Sequence, residues 1–134
     1  MKSEKFRIIN NVDSYIDDLM NLYKNEWWTN KRSIEEVIKM LQNSTFVFGI
    51  VENNELVAFS RVLSDKVYKA FIFDVIVRSD CRNIGLAKIL MENILNHEEL
   101  KNVKTFELYC KEEMIGFYEK FGFEKVEDLV LLKR

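Results

Sequence analysis

The chain has 134 residues, 48% hydrophobic and 13% aromatic, and its charges nearly balance at a net charge of -2. That length fits a single domain, residues 1–134, with enough apolar side chains to fill a core. The charge balance argues against nucleic acid or an anionic membrane as the main partner, since both select a basic excess.

Phe6 to Ile9 is expected as a short first strand. Val12, Ile16, Leu19, Met20 and Tyr23 recur at helical spacing and predict a helix over 13–25. A polar-aromatic loop follows, with Glu26, Trp27, Trp28, Asn30 and Arg32. Ser33 and Glu36 are spaced as a capping box, each side chain serving a backbone N–H at a helix start. Ile34, Val37, Ile38 and Leu41 give that second helix its apolar face. Thr45–Glu52 and Glu55–Leu63 read as two strands joined at Asn53-Asn54, where asparagine tolerates the positive φ of a tight hairpin. Ser64-Asp65-Lys66 punctuates, and Val67–Val77 predicts a long strand. Ala87, Leu90, Met91, Ile94 and Leu95 fall on one helical face. Thr105–Cys110 is a further strand. Met114, Phe117, Tyr118 and Phe121 mark a short helix that Gly122 is placed to end. Phe123–Val126 and Leu129–Lys133 predict a closing antiparallel pair. Hairpins plus one βαβ crossover make the class α/β of the α+β kind: a mixed, mostly antiparallel central sheet with helices on both faces.

The chemistry concentrates between Phe71 and Leu95. At the joint of strand and helix stands Arg82-Asn83-Ile84-Gly85-Leu86-Ala87. Gly85 has no Cβ, so backbone can approach a ligand closely or take positive φ. The first N–H groups of the helix lack intrahelical partners and carry the positive end of its dipole. Arg82 adds a full charge, and an anion with several oxygens suits the place. Alone, the same residues describe an ordinary strand-to-helix turn, and GxGxxG is not matched. Downstream, Phe117-Tyr118-Glu119-Lys120-Phe121-Gly122-Phe123 follows the next strand.

The hexapeptide resembles the R/Q-x-x-G-x-G/A segment of the GNAT family of N-acetyltransferases, and the second segment resembles that family's FYxKxGF. The order of elements is also similar. The resemblance implies a GNAT-like acyl-CoA N-acyltransferase fold and acetyl-CoA as donor. It implies that backbone of Val75, Ile76 and Val77 pairs with the pantetheine arm. It also implies that Arg82, Asn83, Ile84, Gly85, Leu86, Ala87 and Lys88 wrap the pyrophosphate. The strand ending at Val77 then splays from Thr105–Cys110 to admit the acyl group. The acceptor is an amine, on a small molecule or a peptide, held partly by Glu26, Trp27 and Trp28. Those tryptophans read equally as a cover over the core. Family members often pair closing strands across a homodimer. The chain departs from the family pattern at Glu113-Met114, where Asn-Ala is frequent, which puts the usual asparagine contact in question. Asn83 replaces a frequent glycine, a harmless change if its φ stays negative.

An amine acceptor is protonated at neutral pH and must lose a proton. Asp74, inside the apolar run Phe71–Val77, is the favoured base, because burial raises a carboxylate's pKa. Pairing with Arg61 is the competing reading. Glu107 in the next strand and Glu26 in the loop are the other candidates. Tyr118 is the expected proton donor or hydrogen-bond donor to the departing sulfur, and otherwise a core aromatic. The backbone N–H of Val75 is the expected donor to the acyl oxygen. Cys81 and Cys110 have no adjacent histidine, so direct transfer is expected rather than a covalent route. No spacing suggests a metal site, and no run of about 18 apolar residues suggests a membrane span. With no apolar leader segment, a cytoplasmic setting is expected. A non-catalytic acyl-CoA-binding or regulatory module on the same fold is the alternative function.

Overall fold

A computed structural model of the protein describes residues 5–134. Strand β1 (Phe6–Ile9) leads through a 3-10 turn (Asp13–Tyr15) into helix α1 (Ile16–Lys24), and helix α2 (Ile34–Asn43) follows. Strands β2 (Phe46–Glu52), β3 (Glu55–Ser64) and β4 (Lys69–Val77) come next, then helix α3 (Leu86–Leu95), strand β5 (Thr105–Leu108) and helix α4 (Ile115–Glu119). The sheet has the order β1-β2-β3-β4-β5, antiparallel except for the parallel β4–β5 pair. Helices α1 and α2 bury Leu19, Leu22, Tyr23 and Val37 on one face, against Val51, Leu56, Phe59 and Ile76. Helices α3 and α4 bury Leu86, Leu90, Met91, Ile94 and Tyr118 on the other, against Phe48, Val57 and Ile72. The expected mixed sheet with helices on both faces is therefore present.

Local chemistry explains the element ends. The capping box forms: Ser33 Oγ accepts from Glu36 N at 3.2 Å, and Glu36 Oε1 accepts from Ser33 N at 3.3 Å. Asn53 and Asn54 take φ of 53° and 63°, closing the β2–β3 hairpin. Strand β4 begins at Lys69 rather than Val67. Asp65 Oδ1 accepts the N–H groups of Val67, Tyr68 and Lys69 at 2.9, 2.7 and 3.1 Å, which removes Val67 and Tyr68 from the ladder.

The expected closing hairpin does not form. Beyond Gly122 the chain has no regular structure, and Val130 is 82% exposed. Leu129–Leu132 is a continuous apolar run, and strand pairing with one buried face wants alternation.

Two irregularities shape the centre of the sheet. In β3–β4, Phe59 pairs with Ile76 and Arg61 with Phe73, so Asp74 and Val75 together face Ser60. This is a β-bulge, with Asp74 at φ 58°. Ser60 Oγ donates to the Phe73 carbonyl at 2.9 Å and braces it. In β4–β5, pairing runs only from Lys69↔Thr105 to Ile72↔Leu108. Past that point the strands part, and among the described residues no strand pairs with the edge of β4 from Phe73 to Val77.

Candidate functional site

The turn from β4 into α3 is built as a cradle of donors. Among the described residues, none of the backbone N–H groups from Asn83 to Lys88 has a hydrogen-bond acceptor. Gly85 sits at φ 90° as the N-cap of α3, and a Cβ built there would meet nothing within 4 Å. Its need for glycine is therefore conformational and not steric. Asn83 also takes positive φ, 66°, so the condition under which its replacement of glycine is harmless is not met. Asparagine tolerates that region, so the departure from glycine keeps the loop geometry. Leu86 is buried in the core and anchors the turn, while Ile84 is exposed. Unpaired donors at the positive end of a helix fit a pyrophosphate.

Val75 and Val77, on the open part of β4, pack against the core cluster that holds Tyr118. An extended chain laid along Phe73–Val77 would find an edge that β5 does not cover, as in strand addition, with the Val77 carbonyl already accepting from Arg82 Nε at 3.0 Å. Tyr118 lies beyond the parting of β4 and β5, on α4. Its ring is 7% exposed and meets Phe117 and Phe123 edge-on at centroid distances of 5.0 and 6.0 Å. The second motif acts as a Schellman clamp: Gly122 N donates to the Glu119 carbonyl at 3.0 Å, and Phe123 N to the Tyr118 carbonyl at 3.3 Å. Gly122 takes the φ of 90° which that clamp requires. The Tyr118 hydroxyl has no partner among the described residues, yet no buried side-chain oxygen there is left unsatisfied. The hydroxyl therefore reaches open space while its ring is fixed. Burial, and then the Cys110 thiol, push its pKa up to about 12.

Residues 14–123 match the acetyltransferase (GNAT) family. The chain belongs to that family. It is 30% identical over 122 residues to the ycf52 N-acetyltransferase of Porphyra purpurea, itself uncharacterized, covering 88% of this chain and 68% of the relative. It is 34% identical over 74 residues to serotonin N-acetyltransferase 2 of rice, covering 55% of this chain and 37% of that protein. Among solved structures, a Xanthomonas campestris protein assigned to the GNAT family superposes with a TM-score of 0.76 at 27% identity, covering 90% of this chain and 86% of that one.

Within this GNAT chain, the expectation of a raised pKa at Asp74 is overturned. Asp74 is 8% exposed. Its Oδ2 accepts from Tyr23 Oη at 2.9 Å, Arg32 Nη1 at 2.7 Å and Arg61 Nε at 2.8 Å, and Arg32 Nη2 reaches Oδ1 at 3.4 Å. Burial alone would raise the pKa, but hydrogen bonds from Arg32 and Arg61 outweigh it and hold the carboxyl below the usual range. A carboxylate so occupied is a poor proton acceptor. Glu107 is no better: the hydrogen bond from Lys69 at 2.8 Å lowers its pKa, with Thr105 assisting. The competing reading of Asp74, pairing with Arg61, is what the structure contains. Burial raises the pKa of Cys81 and of Cys110, so neither thiol is an activated nucleophile.

The loop between α1 and α2 spans the open end of the site. Trp27 is 69% exposed, so it does not cover the core, and Lys111 Nζ sits 4.6 Å from its ring centroid. That cation–π contact bridges to the segment after β5. Glu26 faces the cradle and pairs with Arg82 at 2.6 Å. A cleft of about 150 Å³ lies beneath the loop, lined by Met20, Asn21, Lys24, Thr29, Asn30 and Arg32. A larger cavity of about 290 Å³, at Asn10, Phe48, Glu92, Asn93, Asn96 and His97, touches none of these groups.

Three contributors escape sequence reading. Tyr23 reads as one apolar position of α1, yet its hydroxyl holds Asp74. Arg32 reads as a loop residue, yet it is the closest partner of Asp74. Lys111 has no motif at all. One signal was available for the first two: a lone aspartate inside an apolar strand demands buried cationic and hydroxyl partners.

Proposed function

We propose that this GNAT chain is an acetyl-CoA-dependent N-acetyltransferase that moves the acetyl group directly to an amine acceptor. The observation that carries the reading is the continuous run of unpaired N–H groups from Asn83 to Lys88, set beside the open edge of β4. Acetyl-CoA, when bound, supplies the activated acyl thioester. The protein's part is to hold and polarise. Arg82 and the N–H groups through Lys88 hold the phosphates. Backbone of Val75, Ile76 and Val77 receives the pantetheine arm, and the bulge at Asp74 turns the N–H of Val75 toward the acyl oxygen. Tyr118 donates a hydrogen bond to the sulfur as it gains charge. Full proton transfer from a phenol near 12 to a thiolate whose acid has a pKa of about 8.5 is disfavoured by a factor on the order of 10³, so the hydroxyl serves as a donor and not as an acid.

On the acceptor side, Glu26, Trp27 and Trp28 receive the amine. The relative named as a serotonin N-acetyltransferase and the exposed indole of Trp27 make aromatic amines the first class to try. The test is direct. Acetyl-CoA is expected to raise the melting temperature, and Arg82→Glu to reduce that rise. A panel of arylalkylamines, polyamines, amino acids and peptides, scored by free thiol release, is expected to find an acceptor.

A second reading is an acyl-CoA-binding module without turnover. It is favoured by one observation: Asp74 and Glu107 are both committed to cationic partners, which leaves the amine without an evident base. Tight acetyl-CoA binding with no thiol release for any acceptor class would select it.

A further inference from the structure

We propose that Arg82 and Glu26 form a strap across the donor groove, which donor phosphates open by taking the guanidinium from the carboxylate. The inference rests on the acetyl-CoA reading above and assigns Glu26 a role in donor affinity that its place in the acceptor loop does not suggest.

The geometry is specific. Arg82 Nη2 donates to Glu26 Oε2 at 2.6 Å, and Arg82 Nε donates to the Val77 carbonyl at 3.0 Å. The guanidinium thus lies over the end of the open β4 edge and ties it to the α1–α2 loop, 56 residues away in sequence. Its side chain is 50% exposed and that of Glu26 only 19%. The other arginine of this region, Arg78, is committed to Glu55 and Asp80 at 2.9 and 2.7 Å. Arg82 is therefore the guanidinium that can be redirected.

Charge decides the consequence. The pair is neutral while the groove holds no anion. A pyrophosphate settling on the N–H cradle competes with Glu26 for Arg82, whose Nε and Nη2 are already given to the Val77 carbonyl and to Glu26. The phosphate also repels Glu26. Donor binding therefore works against the ion pair, and part of its affinity is spent on breaking it. Once Arg82 has turned, Glu26 is a mostly enclosed carboxylate without its cation, beside Trp27 and Trp28. An acceptor ammonium restores neutrality there. The donor thus prepares the acceptor site, and linkage makes the coupling reciprocal.

The experiment is calorimetric titration of acetyl-CoA, and separately of acetylpantetheine, into the wild type, Glu26→Gln, Arg82→Gln and the double variant. The strap predicts that Glu26→Gln binds acetyl-CoA about two- to fivefold more tightly than the wild type, the range of a partly exposed ion pair. The gain disappears in the Arg82→Gln background, and acetylpantetheine, which lacks the phosphates, binds the wild type and Glu26→Gln alike. Equal or weaker acetyl-CoA binding by Glu26→Gln, with binding by the wild type intact, overturns the strap and leaves the acetyltransferase reading standing. Absence of binding to the wild type overturns the donor assignment itself.

Discussion

The Tyr23 hydroxyl donates to the Asp74 carboxylate at 2.9 Å, joining α1 to the bulge of β4. The same oxygen holds Arg32 and Arg61, and the Arg32 guanidinium lies 4.7 Å from the Tyr23 ring centroid. One carboxylate thus serves two guanidinium groups and a hydroxyl.

Removing the carboxylate therefore strands two guanidinium groups. Asp74→Asn is expected to lower stability by roughly 2–4 kcal/mol, below the full cost of a buried unpaired charge because Arg32 is partly exposed. Tyr23→Phe removes one hydrogen bond to a charged group and should cost about 1–3 kcal/mol. Urea denaturation of the two variants measures both.

The pH dependence of stability carries the sign of the Asp74 shift. Its folded pKa lies below the unfolded value, so its contribution is full above about pH 4 and is lost as pH falls through the folded pKa. Melting temperatures followed from pH 7 downward should fall steeply below that point in the wild type and less steeply in Asp74→Asn. Tyr118 acts at the other end. Its raised pKa makes its contribution full below about pH 10 and lost as pH rises toward 12.

Tyr118→Phe separates packing from chemistry. The hydroxyl has no partner among the described residues, so the variant should melt within a degree or two of the wild type. Thiol release, once an acceptor is in hand, should fall about tenfold or more. Unchanged release would reassign Tyr118 to packing.

Gly85→Ala tests the cradle through its backbone. Nothing crowds the added methyl, so the expected loss of about 1 kcal/mol comes from the left-handed φ alone. Acetyl-CoA should then stabilise the variant less than the wild type, read as the difference in melting temperature with and without ligand.

Sequence made the local devices legible. The Ser33–Glu36 box, the Asn53-Asn54 turn and the glycines at 85 and 122 each act within a few residues, and their chemistry announces their conformation. The pairing of the two motifs also pointed to the family correctly. Asp74 was singled out for the right reason, its apolar surroundings. The direction of its pKa shift is less legible: Arg61 is an anticipated partner, but Arg32, 42 residues away, brings the second guanidinium that helps outweigh burial. Leu129–Leu132 misled in the opposite way, since an apolar run looks like a strand whether or not a neighbour exists to pair with it.

The parting of β4 from β5 leaves Phe73–Val77 in the middle of a sheet with one side unpaired. Amide protons on that side answer to solvent and not to the ladder. Their hydrogen exchange should run at the rate of a loop while their neighbours facing β3 exchange slowly. One strand thus carries two clocks, and a molecule that occupies the notch should bring them together.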